Sequence, residues 1–294
     1  MQPSPLQAHL DPRLTLERVE LSVSDLSRSL NFYQTVLGMT VLERNAFGAS
    51  LGTPTHTLLE LLEVPGALTA PQSSPGLFHF AVLLPTRADL ARWVQHVHSL
   101  GVRIGQGDHL ISEAFYIGDP DGHGIEVYWD RPRDQWTWQE GQVKMATDPV
   151  DIDGLMREPG AQLEWTGIPE GAVLGHVHLR VNHLEQTKHF YLELLGFDLV
   201  SRFPGALFVS VGGYHHHFGL NMWQSQGGHT APEGSARLLS VNIKLSSTQE
   251  LEQLEQRLSA AGVAFARAEN SLEVADPSGN LLRFAVLDNK KGRV

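Results

Sequence analysis

The sequence contains no cysteine, no apolar run long enough to span a membrane, and fewer basic than acidic residues. The lack of cysteine excludes disulfides, thiolate nucleophiles, iron–sulfur clusters and cysteine-type zinc sites. The N-terminal segment 1–16 carries Pro3, Pro5 and Pro12 and lacks the apolar core of a signal peptide. We therefore expect no membrane partner, and a cysteine-free chain of this kind suits the cytoplasm.

The charge balance argues against a nucleic-acid partner. Lys and Arg number 22 against 33 Asp and Glu, a net charge of −11 with histidine neutral. The one basic cluster is the tail of Lys290, Lys291 and Arg293, whereas nucleic-acid binding needs an extended positive patch. The 15 histidines suit metal binding or proton transfer, but histidines scattered over the surface would give the same count.

The chain repeats itself. Residues 19–42 and 177–200 match at a constant offset of 158, with 8 of 24 positions identical. Each copy alternates apolar residues as a strand does and continues as a helix, which in the first copy ends at Gly38. Residues 78–128 and 240–286 share a similar plan. The sequence thus predicts four modules of strand, helix and further strands, which start near residues 17, 77, 174 and 238.

One segment between the modules has no sustained period. Residues 132–172 contain three of the tryptophans, which need a surface to bury against: Trp136, Trp138 and Trp165. We predict that this segment is a packed linker. It would divide the chain into a first domain, 15–131, with modules 1 and 2, and a second domain, 173–288, with modules 3 and 4.

These tandem modules resemble the vicinal-oxygen-chelate superfamily, which includes glyoxalase I, bleomycin-resistance proteins and the type I extradiol ring-cleaving dioxygenases. The resemblance implies an α+β fold in which four βαβββ modules form two barrel-like cups. Residues 107–126 are similar to the signature of the extradiol dioxygenases of the catechol-2,3-dioxygenase kind. The matching positions are His109, Phe115, Tyr116, Asp119, Pro120, Gly122 and Glu126.

The superfamily places possible metal ligands on the first and last strands of each module. The aligned residues are Arg18, His79, His176 and Ser240 on the first strands, and Glu60, Glu126, His217 and Arg283 on the last. If module 1 pairs with 2 and module 3 with 4, neither cup holds two histidines and a carboxylate. Pairing modules 2 and 3 gathers His79, Glu126, His176 and His217 in one cup. The signature lies in module 2, which favours this second pairing, but both pairings stay open.

The resemblance implies that His79, His176 and Glu126 bind the metal. Two histidines and one carboxylate on one face of a metal are the ligands of non-haem Fe(II) oxygenases, and Mn(II) uses the same set. The open positions of such a metal suit a catechol, which chelates through both vicinal oxygens, and dioxygen. We therefore expect Fe(II), with Mn(II) as the alternative.

Further histidines are expected near the substrate. Strand alternation over residues 214–221 places His215 and His217 on one face and His216 on the other. We expect His217 to be the catalytic acid/base, although a role as a fourth ligand stays open, and His215 to bind substrate. The resemblance implies that His109 binds the substrate and that Tyr116 is catalytic. The remaining unaligned histidines are expected to be solvated or to pack: His96, His98, His183, His189 and His229.

The predicted activity is extradiol cleavage of a catechol-type aromatic diol by dioxygen. A glyoxalase-like isomerase or lyase with four metal ligands is one alternative, and a metal-free ligand-binding or resistance protein is another. The resemblance also implies a homo-oligomer. The substituents on the substrate ring are set by pocket residues that the sequence does not place.

Overall fold

The computed structural model describes residues 9–286. The basic tail of Lys290, Lys291 and Arg293, the first half of the proline-containing N-terminal segment and the last two residues of the predicted second domain lie outside the described residues. None of the helices within residues 9–286 is long and apolar enough to cross a membrane.

The four predicted βαβββ modules are present. Module 1 consists of β1 (Thr15–Val23), α1 (Leu26–Val36), β2 (Thr40–Arg44), β3 (Gly48–Gly52) and β4 (Thr57–Glu63). Module 2 consists of β5 (Gly76–Leu83), α2 (Arg87–Ser99), β6 (Gly105–Asp108), β7 (Ser112–Gly118) and β8 (Gly124–Asp130). The segment that follows contains a 3₁₀ turn (Arg133–Gln135), β9 (Trp138–Gln139), β10 (Gln142–Val143) and α3 (Ile152–Met156).

The second half of the chain repeats the plan. Module 3 consists of β11 (Val173–Arg180), α4 (Leu184–Lys188) with a π-helical continuation (His189–Leu195), β12 (Asp198–Phe203), β13 (Ala206–Ser210) and β14 (Phe218–Asn221). Module 4 consists of β15 (Leu238–Lys244), α5 (Thr248–Ala260), β16 (Phe265–Ala268), β17 (Ser271–Ala275) and β18 (Leu281–Ala285). The α+β fold class is therefore confirmed.

Local signals set the ends of the helices. Thr86 and Asp89 form a reciprocal capping box at the start of α2, and the side chain of Ser247 caps α5. Gly38 follows α1 with a φ of +68°, a left-handed conformation that glycine adopts at little cost. The predicted helix end at this glycine is confirmed.

Modules pair across the two halves of the chain. One sheet has the strand order β16-β17-β18-β15-β1-β4-β3-β2, and the other has the order β12-β13-β14-β11-β5-β8-β7-β6. Module 1 therefore shares a sheet with module 4, and module 2 shares a sheet with module 3. The pairing of modules 2 and 3 is confirmed. The division into a domain 15–131, a linker 132–172 and a domain 173–288 stays a prediction. We call the second of these sheets the site sheet.

Strand alternation gives each sheet two different faces. On the site sheet, Phe80, Val82 and Val127 point into a core that also contains residues of the other sheet and of α1, α2 and α5. The helices thus lie between the sheets, and Tyr33 of α1 packs near Phe80. The opposite face of the site sheet is left free to line a cavity.

The connection between the modules is packed, as predicted. Trp136 is buried against Ile111 and Tyr214, and Trp165 packs against the main core. Trp138 differs, with 39% of its surface exposed. The connection also approaches the site sheet, because Asp148 exchanges two backbone hydrogen bonds with Asp108, the last residue of β6.

Candidate metal centre

Three central strands bring the predicted ligands together. His79 lies on β5, Glu126 on β8 and His176 on β11, and β5 pairs with both other strands. Ala81 is the register partner of both Glu126 and His176. Since alternate residues share a face, His79 and Ala81 point to the same side, and the small methyl group of Ala81 leaves room between the ligands.

The three side chains form a tight buried group. The Oε2 of Glu126 lies 3.0 Å from the Nε2 of His79 and 3.2 Å from the Nε2 of His176. One ligand atom from each residue lies within 4.8 Å of the others, and the residues are 7%, 2% and 2% exposed for His79, Glu126 and His176. Two histidines and one carboxylate gathered in this way are the donor set of a facial two-histidine, one-carboxylate metal site.

Protonation states in the group suit a cation. Burial alone would raise the pKa of Glu126, but His176 and His79 outweigh it and hold that pKa well below its usual range. Burial lowers the pKa of His176 to about 4, against the opposing influence of Glu126. At neutral pH the group therefore contains an ionised carboxylate and a neutral His176, the forms that bind metals.

Unsatisfied nitrogens test whether a metal fits. The Nε2 of His79 is buried and, despite its distance of 3.0 Å from Glu126, forms no hydrogen bond among the described residues. A buried polar atom without a partner is costly unless something coordinates it. Together with the donor set, this unpaired nitrogen fits a bound transition-metal ion.

A cavity of about 270 Å³ opens onto the ligands. Its walls are aromatic and apolar for the most part: Phe78, Tyr116, Met145, Phe203, Phe208 and Trp223. Glu126 is the one charged residue that lines it among residues 9–286, and no Lys or Arg does so. Such a cavity accommodates a small, uncharged aromatic ligand.

His109 and Tyr116 meet at the side of this cavity. The Nδ1 of His109 donates to the carbonyl oxygen of Ala146 at 2.7 Å, so a neutral His109 accepts at Nε2 from the Tyr116 hydroxyl, 2.6 Å away. Tyr116 is also the register partner of Glu126 on the neighbouring strand. Burial, followed by the nearby Glu126 charge, raises the pKa of Tyr116 well above its usual range.

The family model of the glyoxalase/bleomycin resistance protein/dioxygenase superfamily matches residues 15–127 and 173–284. The chain belongs to this superfamily. The matched ranges reach every strand of the four modules, so both sheets belong to the superfamily fold.

Relatives within the superfamily agree with this assignment. The chain is 42% identical over 277 residues to catechol-2,3-dioxygenase of Bacillus subtilis (strain 168), which covers 91% of this chain and 95% of that protein. A crystal structure of a provisionally assigned dioxygenase from Bacillus subtilis subsp. subtilis str. 168 matches with a TM-score of 0.64 at 14% identity, over 92% of this chain and 84% of that one. Glyoxalase I from Zea mays matches with a TM-score of 0.57 at 18% identity, over 93% and 92%.

The structure differs at residues 215–217 from the sequence prediction, which placed His215 and His217 beside the substrate. His217 does not line the cavity; its Nδ1 lies 2.9 Å from the Oγ of Ser210, and its ring borders a separate cleft. His215 is fully buried and does not line the cavity either. His216 lines it instead, with its ring centroid 4.1 Å from that of His176. The alternation fails because β14 begins only at Phe218, and the residues before it form a bend.

The sequence prediction also missed His178. This residue follows His176 at a spacing of two on β11, pairs in register with His79, and lines the cavity. Its buried Nε2 has no hydrogen-bond partner in the described part of the chain, and burial lowers its pKa well below the usual range. A Cβ at Gly219 would lie 2.7 Å from the His178 ring, so that glycine leaves room for the imidazole. The period of two was the signal that could have identified it.

The equivalent positions of the other sheet form ion pairs. The Nε of Arg18 lies 2.7 Å from Glu60, and Arg283 pairs with both Glu273 and Glu20. Two wider clefts of about 720 and 780 Å³ lie near Arg18. Neither is lined by the His79, Glu126 and His176 group, which is the one potential metal-binding group within residues 9–286.

Proposed function

We propose that this protein is an extradiol ring-cleaving dioxygenase that inserts dioxygen into a catechol-type aromatic diol at a non-haem Fe(II) site. The observation that carries the proposal is the buried His79, Glu126 and His176 group at the wall of an apolar cavity of single-ring size. The 42% identity to a catechol-2,3-dioxygenase over most of both chains supports the same activity.

The proposed cofactor is Fe(II), held by the Nε2 atoms of His79 and His176 and by the Glu126 carboxylate. Bound Fe(II) would supply open positions for the two diol oxygens and for dioxygen, together with the redox chemistry that joins them. In the balanced reaction one ring C–C bond next to the diol breaks, and both atoms of dioxygen enter the ring-opened product. No external reductant is needed.

The cavity walls orient the substrate ring. Phe78 and Trp223 lie edge to face with a ring-centroid distance of 5.6 Å, and the His178 ring is 5.0 Å from Phe78 and 5.5 Å from Trp223. Aromatic walls of this kind favour a planar ring and exclude water from it. No Lys or Arg within residues 9–286 lines the cavity, which favours a diol without an anionic substituent.

Three side chains are proposed to handle protons or contact the diol. The Tyr116 hydroxyl donates a hydrogen bond to the Nε2 of His109, which keeps the phenol oxygen fixed at the cavity wall. His216 occupies the place beside His176 that the sequence suggested for His217, and we assign the acid/base role to it. The proposed partners are therefore the diol and dioxygen. We also propose that the protein forms a homo-oligomer, whose mass light scattering would measure.

Anaerobic reconstitution tests the proposed function. The metal-free protein is loaded with Fe(II) or with Mn(II) under nitrogen, and catechol is then added in air. We expect oxygen uptake and a coloured ring-opened product with Fe(II), and loss of both in His79→Ala. His189→Ala, at an exposed position away from the cavity, is the matched control and should retain activity. No oxygen uptake across a panel of catechols, or conversion that does not consume oxygen, would contradict the proposal.

A further inference from the structure

A chain of three side chains leads from the edge of β8 to the cavity. The Oδ1 of Asp130 lies 2.8 Å from the Nε2 of His215, and the Nδ1 of His215 lies 2.7 Å from the Nδ1 of His216. Asp130 ends the strand that carries Glu126, and its side chain is 18% exposed, whereas His215 is fully buried. His216 forms the cavity end of this chain.

The surroundings of His215 leave Asp130 and His216 as its hydrogen-bond partners. The rings of Tyr128, Trp136 and Tyr214 surround it at centroid distances of 6.1, 5.3 and 4.1 Å. The hydroxyls of Tyr128 and Tyr214 bond to each other at 2.7 Å, and the Trp136 indole donates to the backbone of Arg131. Both ring nitrogens of His215 are therefore committed to Asp130 and His216.

The positions of the protons on His215 and His216 follow from which atoms can donate and which can only accept a hydrogen bond. A carboxylate accepts only, so the Nε2 of His215 carries its proton. A neutral His215 then has a bare Nδ1, which must accept from the Nδ1 of His216. A neutral His216 consequently has a bare Nε2. The hydrogen bond at one ring nitrogen sets the state of the other, as in carboxylate–histidine pairs that orient a base.

We propose that Asp130 and His215 are positioning residues that hold His216 in its Nδ1-protonated tautomer, so that it offers an unprotonated Nε2 to the cavity. This rests on the proposed function only in its consequence: a bare nitrogen beside the metal ligands accepts a proton from a diol hydroxyl, and an N–H group cannot. Burial of His215 and His216 keeps the chain free of competing water.

Imidazole nitrogen NMR of the metal-free protein tests the tautomer directly, without any reaction. Histidine is labelled with ¹⁵N, and His216→Gln identifies the signals of residue 216. We expect one Nδ1-protonated tautomer of His216 in the wild type. In Asp130→Asn the neutral amide can donate a hydrogen bond to the Nε2 of His215 as well as accept one, so the Nε2-protonated tautomer of His216 should appear. Asp130→Glu keeps the carboxylate and should give the same signals as the wild type.

Kinetics of the Fe(II)-loaded variants give the second measurement. Asp130→Asn should lower kcat for catechol about tenfold or more, within the range lost when a general base is impaired, and change KM less than about threefold. Glu193→Gln is the matched control, because Glu193 forms an exposed carboxylate–histidine pair with His189. It should leave the His216 tautomer and kcat unchanged.

Three outcomes would overturn the inference: an Nε2-protonated His216 in the wild type, a doubly protonated His215, or an unchanged tautomer in Asp130→Asn. Each leaves ring cleavage by the wild type untouched. Conversely, a wild-type protein that shows the expected tautomer and does not cleave catechols would contradict the proposed function alone.

Discussion

At the scale of single residues, burial decides what the histidines of this protein do. His79, His176, His178 and His216 share one cavity, where their imidazoles are nearly inaccessible to solvent. Burial lowers the pKa of His176, His178 and His216, so these imidazoles are available as metal ligands or as bases. His189, by contrast, pairs with Glu193 on the surface.

Acid should destabilise the metal-free protein through these buried imidazoles. Burial lowers the pKa of His176 to about 4 and that of His217 to about 3, whereas an unfolded histidine titrates near 6.5. Between the folded and unfolded pKa values the unfolded chain binds more protons than the folded protein. The contribution of these histidines to the free energy of unfolding is therefore fully present above about pH 6.5 and falls as the pH drops toward 4. The slope is about 1.4 kcal/mol per pH unit for each such proton.

Urea unfolding at several pH values between 4.5 and 7 measures this slope. His217→Gln should make the dependence shallower by about one proton, since it removes one buried imidazole. His189→Gln, at the exposed pair, should leave the slope as in the wild type. Equal slopes in the wild type and His217→Gln would show that the buried His217 imidazole does not contribute to the loss of stability in acid.

At the scale of strands and segments, the register of the strands and the direction of successive side chains determine which residues form the site. The pairing of β5 with β8 and β11 puts Ala81 between Glu126 and His176. The bend before β14 turns His216 rather than His217 toward the cavity. The linker adds Met145, Ala146 and Thr147 to the cavity wall.

Ala81→Leu should separate the ligands without abolishing the fold. The larger side chain would enter the space between Glu126 and His176, and overpacking of this kind costs about 1–3 kcal/mol. We expect Fe(II) affinity to fall at least about tenfold, as it does when groups around a metal are displaced. Metal titration of folded protein checks this, with Ala81→Gly as the control that keeps the space open. Unchanged affinity in Ala81→Leu would show that this register does not position the ligands.

The apolar cavity should reject anionic rings. An unpaired carboxylate costs several kcal/mol to bury, and no Lys or Arg of residues 9–286 lines the cavity. We expect kcat/KM for 3,4-dihydroxybenzoate to lie at least about a hundredfold below that for catechol. The uncharged 4-methylcatechol is the matched comparison and should remain within about tenfold of catechol. Similar kcat/KM values for the anionic and uncharged rings would indicate a cation that reaches the substrate.

At the scale of the whole molecule, two similar sheets carry different chemistry. The site sheet holds the potential metal-binding group of His79, Glu126 and His176, and the other sheet fills the equivalent positions with the ion pairs of Arg18 and Arg283. One hydrophobic core with the helices between the sheets joins them. Among residues 9–286 the second sheet contains no comparable group of potential metal ligands.

The chain should bind one equivalent of Fe(II). Elemental analysis against protein concentration should give about one iron per chain, because Arg18 and Arg283 disfavour a cation in the other sheet. Glu126→Ala should reduce the iron content to near zero, and Glu60→Ala, at the corresponding position, should not change it. Two irons per chain, or loss of iron in Glu60→Ala, would place a metal in the second sheet.

Much of this architecture could be predicted from the repeat. Its period placed the four modules, and Gly38 marked the end of the first helix. The resemblance to the extradiol dioxygenases, applied to the aligned strand positions, implied His79, Glu126 and His176 as the ligands. The prediction failed where the backbone leaves regular structure. At residues 215–217 a bend replaces the assumed strand, so the period of two no longer tells which histidine points inward.

The sequence by itself determined the modules, because hydrophobic periodicity and helix-capping residues act locally along the chain. It also determined the absence of thiol chemistry, which leaves imidazole and carboxylate as the strong metal ligands. Only the tertiary structure decided that module 2 joins module 3, since hydrogen bonds between β5 and β11 connect residues about a hundred positions apart. That pairing sets His79 and Glu126 against His176, and it places Asp130 within reach of the histidines beside the cavity.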